Sequence, residues 1–227
     1  MKWLTTLLVL AVLITGAALQ ASSCKPTPFG ATDAATAGNT FALALYAELR
    51  AADGNLFFSS SSISTALAMT YAGARGKTAR EMAAVLELPD RQDAVHVGFA
   101  DLLAGLEPGA EATHKLTVAN RLWGQDGFDL LPAYLARVRT HYDGGYTPLD
   151  FAGDTEGARR IINAWVEDKT EDKIKDLLKP GNLDADTGLV LTNAIYFHGL
   201  WKHAFEKRAT ADEPFFTKDG HDVNVPF

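Results

Sequence analysis

Apolar positions along this chain follow two periods. Phe41, Leu45 and Leu49 recur every fourth residue and predict a helix from Asn39, which Asp53-Gly54 ends. Asn55-Leu56-Phe57-Phe58 is a short apolar strand candidate. The serines at 59–62 behind it supply an N-cap for a helix with Ile63, Ala66, Leu67 and Thr70 on one side. Gly73 is expected to close that helix in the left-handed conformation. Thr78 and Glu81 then read as a capping box for another helix, whose apolar side is Met82, Val85 and Leu86.

A helix from about Ala94 to Leu106 follows, and then Leu116, Val118 and Leu122 alternate as a strand up to Trp123. Leu130 to Tyr142 is helical again, Gly144-Gly145 breaks it, and Tyr146 to Phe151 is a short strand. Asp154 is positioned to cap a long helix carrying Ile161, Ile162, Trp165 and Val166. The nearly continuous apolar run from Leu189 to Phe197 predicts a central strand covered on both faces. Lys218-Asp219-Gly220 predicts a hairpin turn, and Val223 begins a strand for which the pattern shows no partner. An apolar sheet edge left open is an aggregation hazard. Helices first, with strands interspersed, predict an α+β fold.

The N-terminus does not fit this domain pattern. Lys2, an apolar run from Trp3 to Ala18 and a small, polar exit up to Cys24 predict an export signal over residues 1–23. Ala21-Ser22-Ser23-Cys24 resembles a bacterial lipobox, with Ala21 where leucine is usual. Lipid on Cys24 would anchor the exported chain to the cell envelope; an ordinary cleaved signal with an incidental cysteine, giving a secreted protein, is the other reading. A single cysteine excludes an internal disulfide. Residues 24–38, rich in Pro, Ala, Thr and Gly, are expected to form a flexible tether, leaving 39–227 as one domain.

Composition narrows the function. With 47% hydrophobic residues the chain is globular, and a formal charge of −7 leaves no basic footprint for nucleic acid. The six histidines show neither H-E-x-x-H nor Cys/His spacing, so they are expected on the surface, and no metal or cofactor is expected. No G-x-S-x-G elbow occurs. The charges from Glu167 to Lys173 read as a solvated helical surface, and Trp165, Trp201, Phe205, Phe215 and Phe216 as core. Tyr71 to Thr78 nearly spells a phosphate loop, with Tyr71 in place of the first glycine. It lies between two helices, where a phosphate loop requires a strand before it, so a phosphate-binding enzyme is a weak reading.

Six stretches in order resemble the serpins: Asn55 to Ser59 with Ser62 to Met69; Gly73 to Met82; Ala119 to Trp123; Asn163 to Ile174; Leu191 to Phe205; and Pro214 to Phe216. The resemblance implies an inhibitor of serine or cysteine proteases, monomeric and not itself an enzyme. Its bait loop near the C-terminus is cut and inserts as a new strand into the large sheet, carrying the acylated protease with it. Ser59, Ser62 and Asn193 match the family's shutter, where that sheet must open, and Trp201 matches the breach, where insertion starts. The helix containing Trp165 matches the one that lies across the sheet. Two departures are Ser60, where the family has proline, and His198, where it has lysine; His198 would add pH sensitivity near neutrality. The resemblance spans a little over half of a complete serpin, and the bait residue would lie beyond Phe227. The expectation is the N-terminal portion of an exported bacterial serpin, inactive by itself. The alternative is a non-inhibitory serpin acting as a binding, carrier or chaperone protein.

Overall fold

The computed structural model of the chain describes residues 28–109, 112–217 and 220–226. The expected signal, Cys24, Lys218, Asp219 and Phe227 lie outside the described residues. Helix α1 (Ala31–Leu49) starts well before Asn39, so residues 31–38 are helix and not tether. Ala34 and Ala37 are buried, and their small side chains let α1 pack closely on the helix at Gln92–Leu106. The extended segment Asn55–Phe58 pairs with no strand among the described residues, and the Phe57 side chain is 98% exposed. An apolar run becomes a strand only where a ladder partner meets it.

Helix α2 (Ser60–Tyr71) has the expected serine cap, the Ser59 hydroxyl oxygen accepting from the Ser62 N–H at 3.2 Å. The turn after it departs from expectation. Gly73 is not left-handed; its missing side chain makes room for Tyr134, whose ring would lie 3.3 Å from a Cβ there. The left-handed residue is Gly76, at φ +59°, and it begins α3 (Gly76–Val85). Helix α3 thus starts ahead of Thr78, and the expected capping box does not form. Lys77 pairs with Glu81 at 3.0 Å on an exposed helix face, as an ordinary helical ion pair.

Next come α4 (Gln92–Leu106), β1 (His114–Gln125), α5 (Pro132–Tyr142), β2 (Gly145–Leu149), α6 (Thr155–Lys169) and β3 (Leu189–Gly199). The Asp154 carboxylate caps α6 as predicted, accepting from the Gly157 N–H at 2.8 Å. Glu171 and Asp172, at φ +51° and +57°, end the helix, so the charges from Glu167 to Lys173 straddle a helix terminus and Thr170 between them is buried.

The main sheet has the order β2-β1-β3, with β1 parallel to β2 and antiparallel to β3. Among the described residues β3 is thus paired on one side only, by β1. Its continuous apolar run matches the expected cover on both faces, because α2 packs on one and α6 on the other. Alternate residues of the sheet feed two cores. Leu122 and Leu191 join Met69, Val95, Phe99 and Tyr142 on the side of α1 to α5. Trp123 and Val190 join Ile162 and Trp165 beneath α6. Each fully buried residue of this kind, such as Met69 or Ile162, contributes about 1.5–3 kcal/mol. A separate hairpin, β4 (Asp212–Phe216) with β5 (Asp222–Pro226), gives the last strand the partner its pattern did not reveal. Gly220 turns it at φ +80°.

Candidate functional site

Residues Leu116, Val118 and Leu122 set the apolar phase of β1, and Asn120 occupies the same phase. A buried amide in that position must find partners. The Asn120 Nδ2 donates to the Tyr142 carbonyl at 2.9 Å, and its Oδ1 accepts from Asn193 Nδ2 at 2.7 Å across the β1–β3 ladder. The Asn193 Oδ1 is buried and has no donor among the described residues. Leaving such an acceptor unmet costs about 1–3 kcal/mol.

The seam continues into the helices. The Tyr142 hydroxyl hydrogen-bonds the Nδ1 of His96 at 2.6 Å. His96 is fully buried, contrary to the surface position expected for the histidines. Helix α4 turns Val95, His96 and Phe99 inward, and the rings of Tyr71, His141 and Tyr142 stand about His96 at 5.9, 6.0 and 5.7 Å. Burial, and then the Arg137 guanidinium, lower the His96 pKa to about 4, so the ring is neutral at pH 7. Its Nε2 has no partner among the described residues. Burial pushes the Tyr142 hydroxyl up and keeps it protonated. The chain His96–Tyr142–Asn120–Asn193 thus links α4, α5, β1 and β3 through groups that hold position. Among the described residues, no three His, Cys, Asp or Glu side chains gather as a metal site would.

The sequence-expected residues are partly brought together. Helix α2 packs against β3, and Asn193 lies on the strand face that Leu191 turns toward Ala68 and Met69. Ser59 is exposed at the α2 cap and Ser62 is half-buried. No hydrogen bond joins either serine to Asn193 among the described residues.

A model of the family "Serpin (serine protease inhibitor)" matches residues 36–227. The chain belongs to the serpin family. A serpin-like protein of Thermococcus kodakarensis is 43% identical over 182 residues, covering 80% of this chain and 42% of that relative. Leukocyte elastase inhibitor A of Mus musculus is 42% identical over 182 residues, 79% of this chain and 48% of that one. Arabidopsis AtSerpin1, solved in its native stressed conformation, superposes with a TM-score of 0.78 at 26% identity, over 86% of this chain and 50% of that one. This serpin chain spans about half the length of the relatives it matches.

The remaining serpin-matched positions lie toward the far end of β3. Trp201 follows the strand, is 74% exposed and packs edge-on to Phe205 at 5.6 Å. Phe205, Phe215 and Phe216 are also exposed, whereas all were expected in the core with Trp165. Trp165 alone of these packs against a core, half-buried beside Trp123 at 5.6 Å. His198 is exposed, opposite Lys115 in the β1–β3 register. Asn120, Tyr142 and His96 escaped sequence reasoning as site residues. The available signal was an asparagine in the apolar phase of a strand.

Proposed function

We propose that this chain forms the N-terminal part of a serpin that inhibits a serine or cysteine protease by conformational trapping. One observation carries the reading: β3 is paired on one edge only among the described residues, and an open edge is where a further strand adds. Strand addition satisfies backbone groups and buries apolar surface, which drives a metastable fold to a more stable one. Ser59, Ser62 and Asn193 act as the shutter beneath the opening strands, and Asn120 belongs with them. The unmet Asn193 Oδ1 supports this, since it is an acceptor poised for a donor outside the described residues. Trp201, beyond the far end of β3, acts at the breach.

In this reading the bait loop belongs to the part of the family architecture that the match does not cover, so the chain alone traps nothing. Export directs the protein outside the cytoplasm, and Cys24 carries a lipid anchor; radiolabelled palmitate incorporation lost in Cys24→Ser tests this.

The main experiment uses the chain and a chimera in which residues 36–227 replace the matching segment of the mouse inhibitor. Both are incubated with pancreatic elastase. An SDS-resistant complex from the chimera, and none from the chain, is expected. A chimera cut without trapping favours the carrier or chaperone reading. A complex from the chain alone overturns the proposed division of labour.

A further inference from the structure

Arg121 and Trp165 line one hollow between β1 and α6, and each has a buried N–H, Nε and Nε1, that has no acceptor among the described residues. The Arg121 guanidinium carbon lies 5.3 Å from the Trp165 ring and 5.4 Å from the Trp123 ring. One terminal nitrogen donates to the Thr147 hydroxyl at 2.9 Å. Gly145, opposite Arg121 in the ladder, makes this placement possible: a Cβ there would stand 3.2 Å from the guanidinium. No carboxylate forms an ion pair with Arg121 among the described residues. On the same face of β1, Trp123 has its indole N–H satisfied by Thr192 at 2.9 Å, so the lack at Trp165 is local.

Unmet buried donors are costly, and here one of them, Nε, belongs to a half-buried guanidinium that has no ion-pair partner among the described residues. Two together are the mark of a missing acceptor. The hollow holds about 450 Å³, and Arg139 and Lys169 also line it. Asp143 is the one acidic side chain in the lining, and Lys169 already pairs with Asp168 at 3.0 Å. In a chain of net charge −7 this is a cationic exception.

We infer that the hollow between β1 and α6 binds a small oxyanion, a phosphate or a carboxylate, through Arg121 Nε and Trp165 Nε1. A neutral carbonyl could accept from either donor but would leave the guanidinium charge uncompensated, whereas an oxyanion answers both. Because its two donors come from β1 and α6, a bound anion pins the helix to the sheet.

The test is an indole ¹⁵N–¹H NMR titration of the chain with inorganic phosphate, then acetate, then citrate, at ionic strength held constant with sodium chloride. Trp165→Phe assigns the signal. The Trp165 resonance should shift saturably while that of Trp123, held by Thr192, stays in place. The shift should vanish in Arg121→Gln, with the Trp123 resonance showing that the face is intact. A response to phosphate alone assigns the phosphate source, and a response to the carboxylates alone assigns the other; either supports the site. No Trp165 response to any anion, a common drift of all indoles with salt, or a saturable shift that survives in Arg121→Gln would each overturn it. Should Arg121→Gln fail to fold, calorimetry on Trp165→Phe decides: about tenfold weaker binding of the effective anion is expected, and unchanged affinity refutes the inference.

Discussion

Asn193 and Asn120 face each other across the β1–β3 ladder and share one hydrogen bond of 2.7 Å, yet the two amides are unequally satisfied. Asn120 uses both ends of its amide, whereas the Asn193 Oδ1 is buried and unmet among the described residues. Removing Asn193 therefore deletes one bond and one unsatisfied acceptor, and leaves the Asn120 Oδ1 unmet in exchange. Asn193→Ala should cost about 1 kcal/mol, and Asn120→Ala about 2–3 kcal/mol, because it strands both Asn193 and the Tyr142 carbonyl. Urea unfolding midpoints of the two variants check this, and the reverse order would contradict the seam.

The α6 cap permits a sharper double-mutant prediction. A Cβ on Gly157 would lie 1.9 Å from the Asp154 carboxylate that now accepts the Gly157 N–H. Gly157→Ala must turn that carboxylate aside and weaken the cap, and Asp154→Ala loses it outright, at about 0.5–2 kcal/mol. Without the carboxylate, alanine at 157 meets no such clash and improves helix propensity. The double variant should thus be no less stable than Asp154→Ala alone in thermal unfolding. Additive losses would mean that the glycine serves another contact.

What was legible in the sequence follows the range of each interaction. The Asp154 cap and the Ser59 cap depend on residues within one turn, and the structure reproduces them. The helical stripes hold only in part, since α2 buries Ser64, Thr65, Ala68 and Met69 and leaves Thr70 exposed, and Val85 and Ile161 of the expected faces are exposed. The capping box at Thr78 failed locally too, because Gly76 offered an earlier left-handed start. The order β2-β1-β3 and the partner of β5 depend on which strands meet, and a one-dimensional pattern does not record that. His96 lay beyond reading for the same reason: its burial is made by Tyr71 and Tyr142, which arrive from other helices. The shutter positions came from family resemblance, and the structure adds the bond from Asn193 to Asn120.

Phe57, Phe205 and Phe216 are 98%, 82% and 72% exposed. Burying such a side chain is worth about 1.5–3 kcal/mol, so the exposed rings are available for association. The chain should bind a hydrophobic dye and scatter light increasingly with concentration. Phe57→Ser and Phe216→Ser, each touching no buried core, should lower both signals while leaving the unfolding midpoint within about 0.5 kcal/mol. Dye binding unchanged in both variants would place the exposed apolar surface elsewhere.

His96 predicts how stability depends on pH. The groups around it are Tyr71 from α2, Arg75 from the following turn, Asp93 of its own helix, and Arg137, His141 and Tyr142 from α5. Burial comes first among the causes, then Arg137 and His141, all favouring the neutral ring; Asp93 opposes them. The folded pKa of about 4 lies below the ordinary 6.5. Between these values the unfolded chain binds the extra proton, so stability rises with pH across that window. The contribution is fully present above pH 6.5 and lost as pH falls toward 4. It amounts to about 2–3 kcal/mol. His96→Phe gives up the bond to the Tyr142 hydroxyl and should cost about 1–2 kcal/mol at pH 7. It should also flatten the acid side, so that wild type and variant converge between about pH 5 and 6. Denaturant midpoints at half-unit pH steps would show this, and parallel curves for the two proteins would mean that His96 does not titrate against folding.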